Sequence, residues 1–154
     1  MMICFETERM IVKSDMVVQD GTLKEKESQN SPMDILRIIP TTGLESAFVF
    51  YDKADGCTKI CHIGITHQRE RFEVSYGTEP SFRRHGYMKE ALASLVDWIF
   101  ANTNEPAIFG LPNGPESEHI LQKSGFNCVG LYEDNPSMKW YRIAKPSKES
   151  MSNE

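Results

Sequence analysis

The chain has 154 residues, 40% hydrophobic and 25% charged, and its 17 Lys and Arg against 22 Asp and Glu leave a formal charge of −5. That length suits a single domain, expected over 1–144 with a polar, disordered tail at 145–154, and it needs no disulfide or metal staple to close a core. No basic run exceeds Arg83-Arg84-His85, which argues against general nucleic-acid binding; no apolar run nears the ~18 residues of a membrane span, and the start lacks the basic-then-apolar order of a secretion signal, so the chain reads as cytoplasmic with its four cysteines as thiols.

In chain order, Phe5 to Lys13 reads as a strand centred on Met10-Ile11-Val12. The polar stretch Thr22 to Ser31 reads as a short helix or a loop. Ser31 as N-cap and Pro32 at the first helical position predict a helix up to Pro40. From Ala47 the period changes to two. Ala47 to Lys53, the turn Asp55-Gly56, Thr58 to Ile65 and Arg69 to Gly77 predict an antiparallel meander, with Phe72, Val74 and Tyr76 opposite Glu73 and Ser75. Cys57-x-x-x-Cys61-His62 has the look of a zinc half-site. Its residues alternate as a strand does, however, and no second ligand pair follows, so no metal is expected.

Helical spacing then takes over. Met88, Ala91, Leu92, Leu95, Val96, Ile99 and Phe100 form one apolar stripe across Tyr87 to Ala101. Ala107 to Leu111 suits a strand buried on both faces. Pro115 to Lys123 reads as a second helix, with Gly125 just past its end. Asn127 to Leu131 and Lys139 to Ile143 make a last strand pair. The order implies an α/β domain: a mixed, mostly antiparallel central sheet of about seven strands, flanked by helices.

The stretch from Val74 to Met88 carries the chemistry. A strand ends, a loop holds Arg83 and Arg84, and Gly86 precedes the strongest helix of the chain. Unpaired N–H groups at a helix start and the positive end of its dipole suit an anion. Gly86 lets main chain approach a polyphosphate closely, and the two arginines match phosphate oxygens. The alternative is a plain strand–turn–helix junction whose arginines serve solubility.

Arg83-x-x-Gly86-x-Met88 after a strand resembles the acetyl-CoA pyrophosphate loop of the GNAT N-acetyltransferase superfamily. Three further segments resemble its ribosomal-protein-acetylating (RimJ/RimL-like) branch, in order: Phe5 to Lys13, Phe72 to Tyr76, and Asn113 through Ser117 to Lys123-Ser124-Gly125-Phe126. The resemblance implies the GNAT fold, with the sheet splayed at a bulge in Glu73 to Thr78. It implies acetyl-CoA as the acyl donor, with coenzyme A as product and no metal. Val74, Tyr76, Gly77 and Thr78 would pair with the pantetheine arm. Arg83, Arg84, His85, Gly86, Tyr87 and Met88 would cradle the pyrophosphate, and Asn113 would bond the arm beyond the splay. An acceptor amine, on a protein N-terminus, a polyamine or an aminoglycoside-like molecule, would attack the thioester directly.

Such chemistry needs a base for the ammonium and an acid for the departing thiolate. Glu73 is the candidate base, acting through a water; its other reading is a surface carboxylate paired with Arg69 or Arg71. Ser117 is the candidate acid; its other reading is a first-turn residue capping backbone amides. Met88 stands where the superfamily usually has Gly or Ala, Leu121 where many members have a tyrosine acid, and Gly114-Pro115 sets Asn113 one residue early. These departures keep a second reading open, a non-catalytic acyl-CoA-binding regulatory domain. The chain would work as a monomer or homodimer, without nucleic acid or membrane.

Overall fold

Thr7 breaks the N-terminal strand in two. Its N–H donates to the Met10 carbonyl at 2.8 Å, and its hydroxyl accepts the Met10 N–H at 3.0 Å, which closes a tight turn. In the computed structural model, which describes residues 2–14, 16–19, 21–25, 48–68, 71–132 and 135–146, the single strand expected over 5–13 is therefore two. These are β1 (Met2–Glu6) and β2 (Met10–Ser14), paired antiparallel. The polar stretch from Thr22 also differs from expectation, because β3 (Met16–Gln19) and β4 (Thr22–Glu25) form a separate two-stranded hairpin. The helix expected after Ser31 lies outside the described residues, as does the tail beyond 146.

The meander appears as read: β5 (Phe48–Asp52), β6 (Lys59–Gln68) and β7 (Arg71–Thr78) pair in sequence, each antiparallel to the next. Then come α1 (Tyr87–Asn102), β8 (Ala107–Gly110), α2 (Pro115–Lys123), β9 (Asn127–Tyr132) and β10 (Asn135–Ala144). The main sheet has eight strands in the order β1-β2-β5-β6-β7-β8-β10-β9. The division at Thr7 accounts for the one more than expected.

All seven residues of the predicted stripe on α1 are buried. They pack on Phe48, Phe50, Ile60, Ile63, Phe72 and Val74, and Leu121 and Phe126 join the same cluster. Each large apolar side chain buried there contributes roughly 1.5–3 kcal/mol, so the stripe anchors α1, and with it the loop at its start, to the sheet.

One irregularity positions the site. β7 and β8 run parallel but share only two register pairs, Glu73↔Phe109 and Val74↔Gly110. β8 ends at Gly110 while β7 continues for four residues, so the edge of Ser75 to Thr78 is left without a strand beside it. The parting takes place without the expected bulge. β6 and β7 pair residue for residue from Gln68↔Arg71 to Cys61↔Thr78, and the sheet opens because β8 stops short.

Candidate active site

A cavity of about 490 Å³ lies between the free end of β7, the loop into α1, and α2. Tyr76, Gly77 and Thr78 form one wall, Arg83, Arg84, Gly86, Tyr87 and Met88 a second, and Asn113 and Ser117 a third. The structure thus gathers ten of the thirteen residues singled out in the sequence. Val74, His85 and Glu73 are not among those that line it. Val74 points into the core at 2% exposure, and its register pairing with Gly110 puts it below the point where the strands part. His85 turns outward, its Nδ1 2.7 Å from the Arg83 carbonyl.

The loop is held tightly from within. After a 3-10 turn at Pro80–Phe82, Arg83 Nε donates to the Thr78 carbonyl at 3.1 Å, tying the loop back to the end of β7. Arg84 and Gly86 both have left-handed backbones, with φ of 66° and 77°. Glycine takes that region freely, but in Arg84 it costs roughly 1–2 kcal/mol, strain of the kind that collects at functional sites. Gly86 is the N-cap of α1 and supplies no capping side chain, so the first-turn N–H groups are left for another acceptor. The cleft also draws Lys89 and Lys123 to its rim, with Glu116 as the facing acid. Uncapped donors, a left-handed glycine and four cations suit a polyphosphate.

On the opposite wall two hydroxyls share a pair of hydrogen bonds. Ser117 Oγ donates to the Tyr76 hydroxyl at 3.0 Å, and Tyr76 donates to the Ser117 carbonyl at 2.7 Å. Burial pushes the Tyr76 phenol up to about 12, against the hydrogen bond from Ser117. The capping reading of Ser117 falls, because Gly114 is the N-cap of α2 and the Ser117 hydroxyl goes to Tyr76. Leu121, at the position where a tyrosine acid was absent, is fully buried in the core.

Glu73 is 6% exposed, which removes its reading as a surface carboxylate. Strand alternation puts it on the face away from α1, in register with Phe109, one residue before the last pairing of β7 with β8. That face carries a stack: the Arg71 guanidinium 4.4 Å from the centre of the Trp140 ring, Trp140 stacked on Phe109 at 5.0 Å, and Arg142 at 5.9 Å from Phe109. Neither the stack nor the Tyr76–Ser117 pair was legible beforehand. The cations at 89 and 123 were missed as well, although each stands near a helix end already marked.

The sequence matches the acetyltransferase (GNAT) domain model over residues 12–127. No curated protein matches it. Among solved structures it is similar to an acetyltransferase from Agrobacterium tumefaciens str. C58, with 18% identity, TM-score 0.64, and 90% of this chain and 92% of that one covered. It is also similar to a spermidine N-acetyltransferase variant from Vibrio cholerae, at 17% identity, TM-score 0.54, and 73% and 72% coverage. A ribosomal-protein-S5-alanine acetyltransferase from Vibrio fischeri is similar at 20% identity, TM-score 0.52, and 65% and 61% coverage. The chain spans 60 to 65% of the length of several such acetyltransferases. At these identities the likeness speaks for the fold. The family rests on the domain match across more than half of the sequence, together with the strand parting beside an uncapped helix start: the chain belongs to the GNAT acetyltransferase family.

Proposed function

We propose that this cleft binds acetyl-CoA and that the protein transfers the acetyl group to a primary amine. The observation that carries the reading is the free edge of Ser75 to Thr78 facing the uncapped start of α1. The main-chain N–H groups of residues 84–88 would hold the pyrophosphate, the Arg83 N–H being spent on the Pro80 carbonyl, with the Arg83, Arg84 and Lys89 side chains neutralising its charge. The edge of Tyr76 to Thr78 and the Asn113 side chain would take the polar groups of the pantetheine arm. When bound, acetyl-CoA supplies an activated acyl group as a thioester.

The chain's own groups handle the protons. Glu73, buried beside the last β7–β8 pairing, takes the proton given up by the acceptor ammonium, relayed by a water. Ser117 Oγ, whose proton points to the Tyr76 hydroxyl, would turn it to the leaving sulfur. Tyr76, a phenol already protonated at neutral pH, is pushed further up by burial and stays a neutral partner to Ser117. For the acceptor we favour a protein N-terminus, in keeping with the ribosomal-protein-acetylating resemblance of Phe5 to Lys13 and Asn113 to Phe126; a polyamine or an aminoglycoside-like amine are the competing acceptors.

Calorimetry with acetyl-CoA, followed by thiol release over a panel of N-terminal peptides, polyamines and aminoglycosides, tests the reading. Binding and amine-dependent release support it. Absence of binding at millimolar acetyl-CoA overturns it. Binding with no release for any amine points to the non-catalytic acyl-CoA-binding domain instead.

A further inference from the structure

The turn that divides β1 from β2 reaches across the molecule to the start of α1. Arg9 lies on that turn, 76 residues before His85, yet its Nη1 donates to the His85 carbonyl at 3.0 Å. Its Nε donates to Glu90 Oε1 at 2.6 Å and its backbone N–H to Glu90 Oε2 at 3.0 Å. The guanidinium also lies 3.8 Å from the centre of the Tyr87 ring. Arg9 therefore touches His85, Tyr87 and Glu90, and its Nη2 lies 3.7 Å from where a Cβ on Gly86 would stand.

The turn itself is built to stay in place. Thr7 closes it from inside through Met10, and the Thr7 hydroxyl donates to Glu90 Oε2. Lys53 grips it from just past the end of β5, with its N–H on the Arg9 carbonyl at 3.0 Å and its Nζ on the Thr7 carbonyl at 2.9 Å. Glu90, one turn into α1, thus receives three donors from residues 7–9.

We propose that Arg9 is a positioning residue for the anion loop: by holding the His85 carbonyl it aims the Gly86 N–H at the bound pyrophosphate. This rests on the acetyl-CoA reading of the cleft. The physical step is the planarity of the peptide. The His85–Gly86 peptide is trans, so when the His85 carbonyl turns toward Arg9 the N–H of Gly86 points the opposite way. That carbonyl would otherwise be free to flip and present its oxygen to an anion. Arg9 also covers a charge. Glu90 sits in the first turn of α1, where an uncompensated carboxylate would repel a phosphate. Its pKa is lowered: burial works against the charged form, and the bonds from Thr7 and Arg9 outweigh it. Only a guanidinium meets both demands, since one planar fork bonds the carboxylate with Nε and the carbonyl with Nη1 while stacking on the tyrosine.

The test uses the full chain, with coenzyme A as the probe in calorimetry and acetyl-pantetheine, which lacks the pyrophosphate, as the comparison substrate. Arg9→Met should weaken coenzyme A binding about ten- to a hundredfold, the range of a lost charge-assisted hydrogen bond, and leave kcat/KM for acetyl-pantetheine unchanged. Arg9→Lys restores charge without the fork and should recover only part of the affinity; if Arg9→Met fails to fold, Arg9→Lys alone carries the comparison. Full recovery by lysine, or equal losses for coenzyme A and acetyl-pantetheine, would overturn the proposal, as would unchanged coenzyme A affinity in a folded variant. If the unmodified chain binds no coenzyme A, the reading of the cleft fails and this inference falls with it.

Discussion

Gly110 is where packing tolerance can be measured against the parting of the sheet. It is the register partner of Val74 in β7 and of Tyr141 in β10. A Cβ added to it would stand 2.6 Å from Leu121 Cδ2 and 3.3 Å from Cδ1. Carbon atoms in contact sit about 3.5–4.0 Å apart, so the nearer methyl must retreat about 1 Å. Leu121 is fully buried, in an interior packed as densely as proteins are, so the retreat forces its rotamer or lifts α2. Overpacking of this kind costs about 1–3 kcal/mol. Alanine returns about 0.4–1 kcal/mol by restricting the unfolded chain, which leaves Gly110→Ala about 1–2 kcal/mol less stable. Denaturant unfolding of the full chain should show a lower midpoint at unchanged slope. Leu121→Ala alone should cost about 2–5 kcal/mol. The double variant should cost less than the sum, because the smaller side chain vacates the space the new methyl needs. A Gly110→Ala chain as stable as its parent, or strictly additive losses, would refute the argument.

Glu73→Gln should leave coenzyme A affinity in place and lower amine-dependent thiol release about a hundredfold or more, the range for loss of a general base; unchanged turnover removes the base assignment. Gly86→Glu puts a carboxylate and a left-handed strain at the cap of α1, so coenzyme A affinity should fall about tenfold or more by calorimetry; intact affinity would move the phosphate site elsewhere. Asp55 makes an acid-stability prediction. The Thr58 hydroxyl, then the Cys57 and Thr58 N–H groups, hold its carboxyl at about 2, against 3.8 for a free one. A depressed folded value means the stabilisation is full above pH ~4 and is lost as pH falls toward ~2, where the folded form also takes up the proton. Thermal melts across that window should slope less for Asp55→Asn.

The elements with a strong local period were legible. The stripe from Met88 to Phe100 predicts a helix over 87–101, and α1 spans Tyr87–Asn102. Pro115 and Gly125 bracket the second helix as they should. The strand–loop–helix junction before α1 was legible too, because a strand end, paired arginines and a glycine before a helix are all local signals. The division of the first strand was missed, because the Thr7 hydroxyl competes with strand pairing only once Met10 turns back to meet it. The hairpin of β3 and β4 was missed because a polar stretch of mixed propensity leaves its state to tertiary pairing.

What the amino-acid order determined by itself is which segments bury a face and where main-chain donors are left over, since periodicity and caps act within a few residues. The arrangement of the site is different. Glu73 is buried although its neighbours in sequence include Arg71 and Ser75, Tyr76 meets Ser117 across 41 residues, and Arg9 meets Glu90 across 81. Those contacts depend on β8 ending at Gly110 and on α1 lying across the meander. Only the packed core decides them, because a side chain's partner in space is chosen by how the elements bury their apolar faces together.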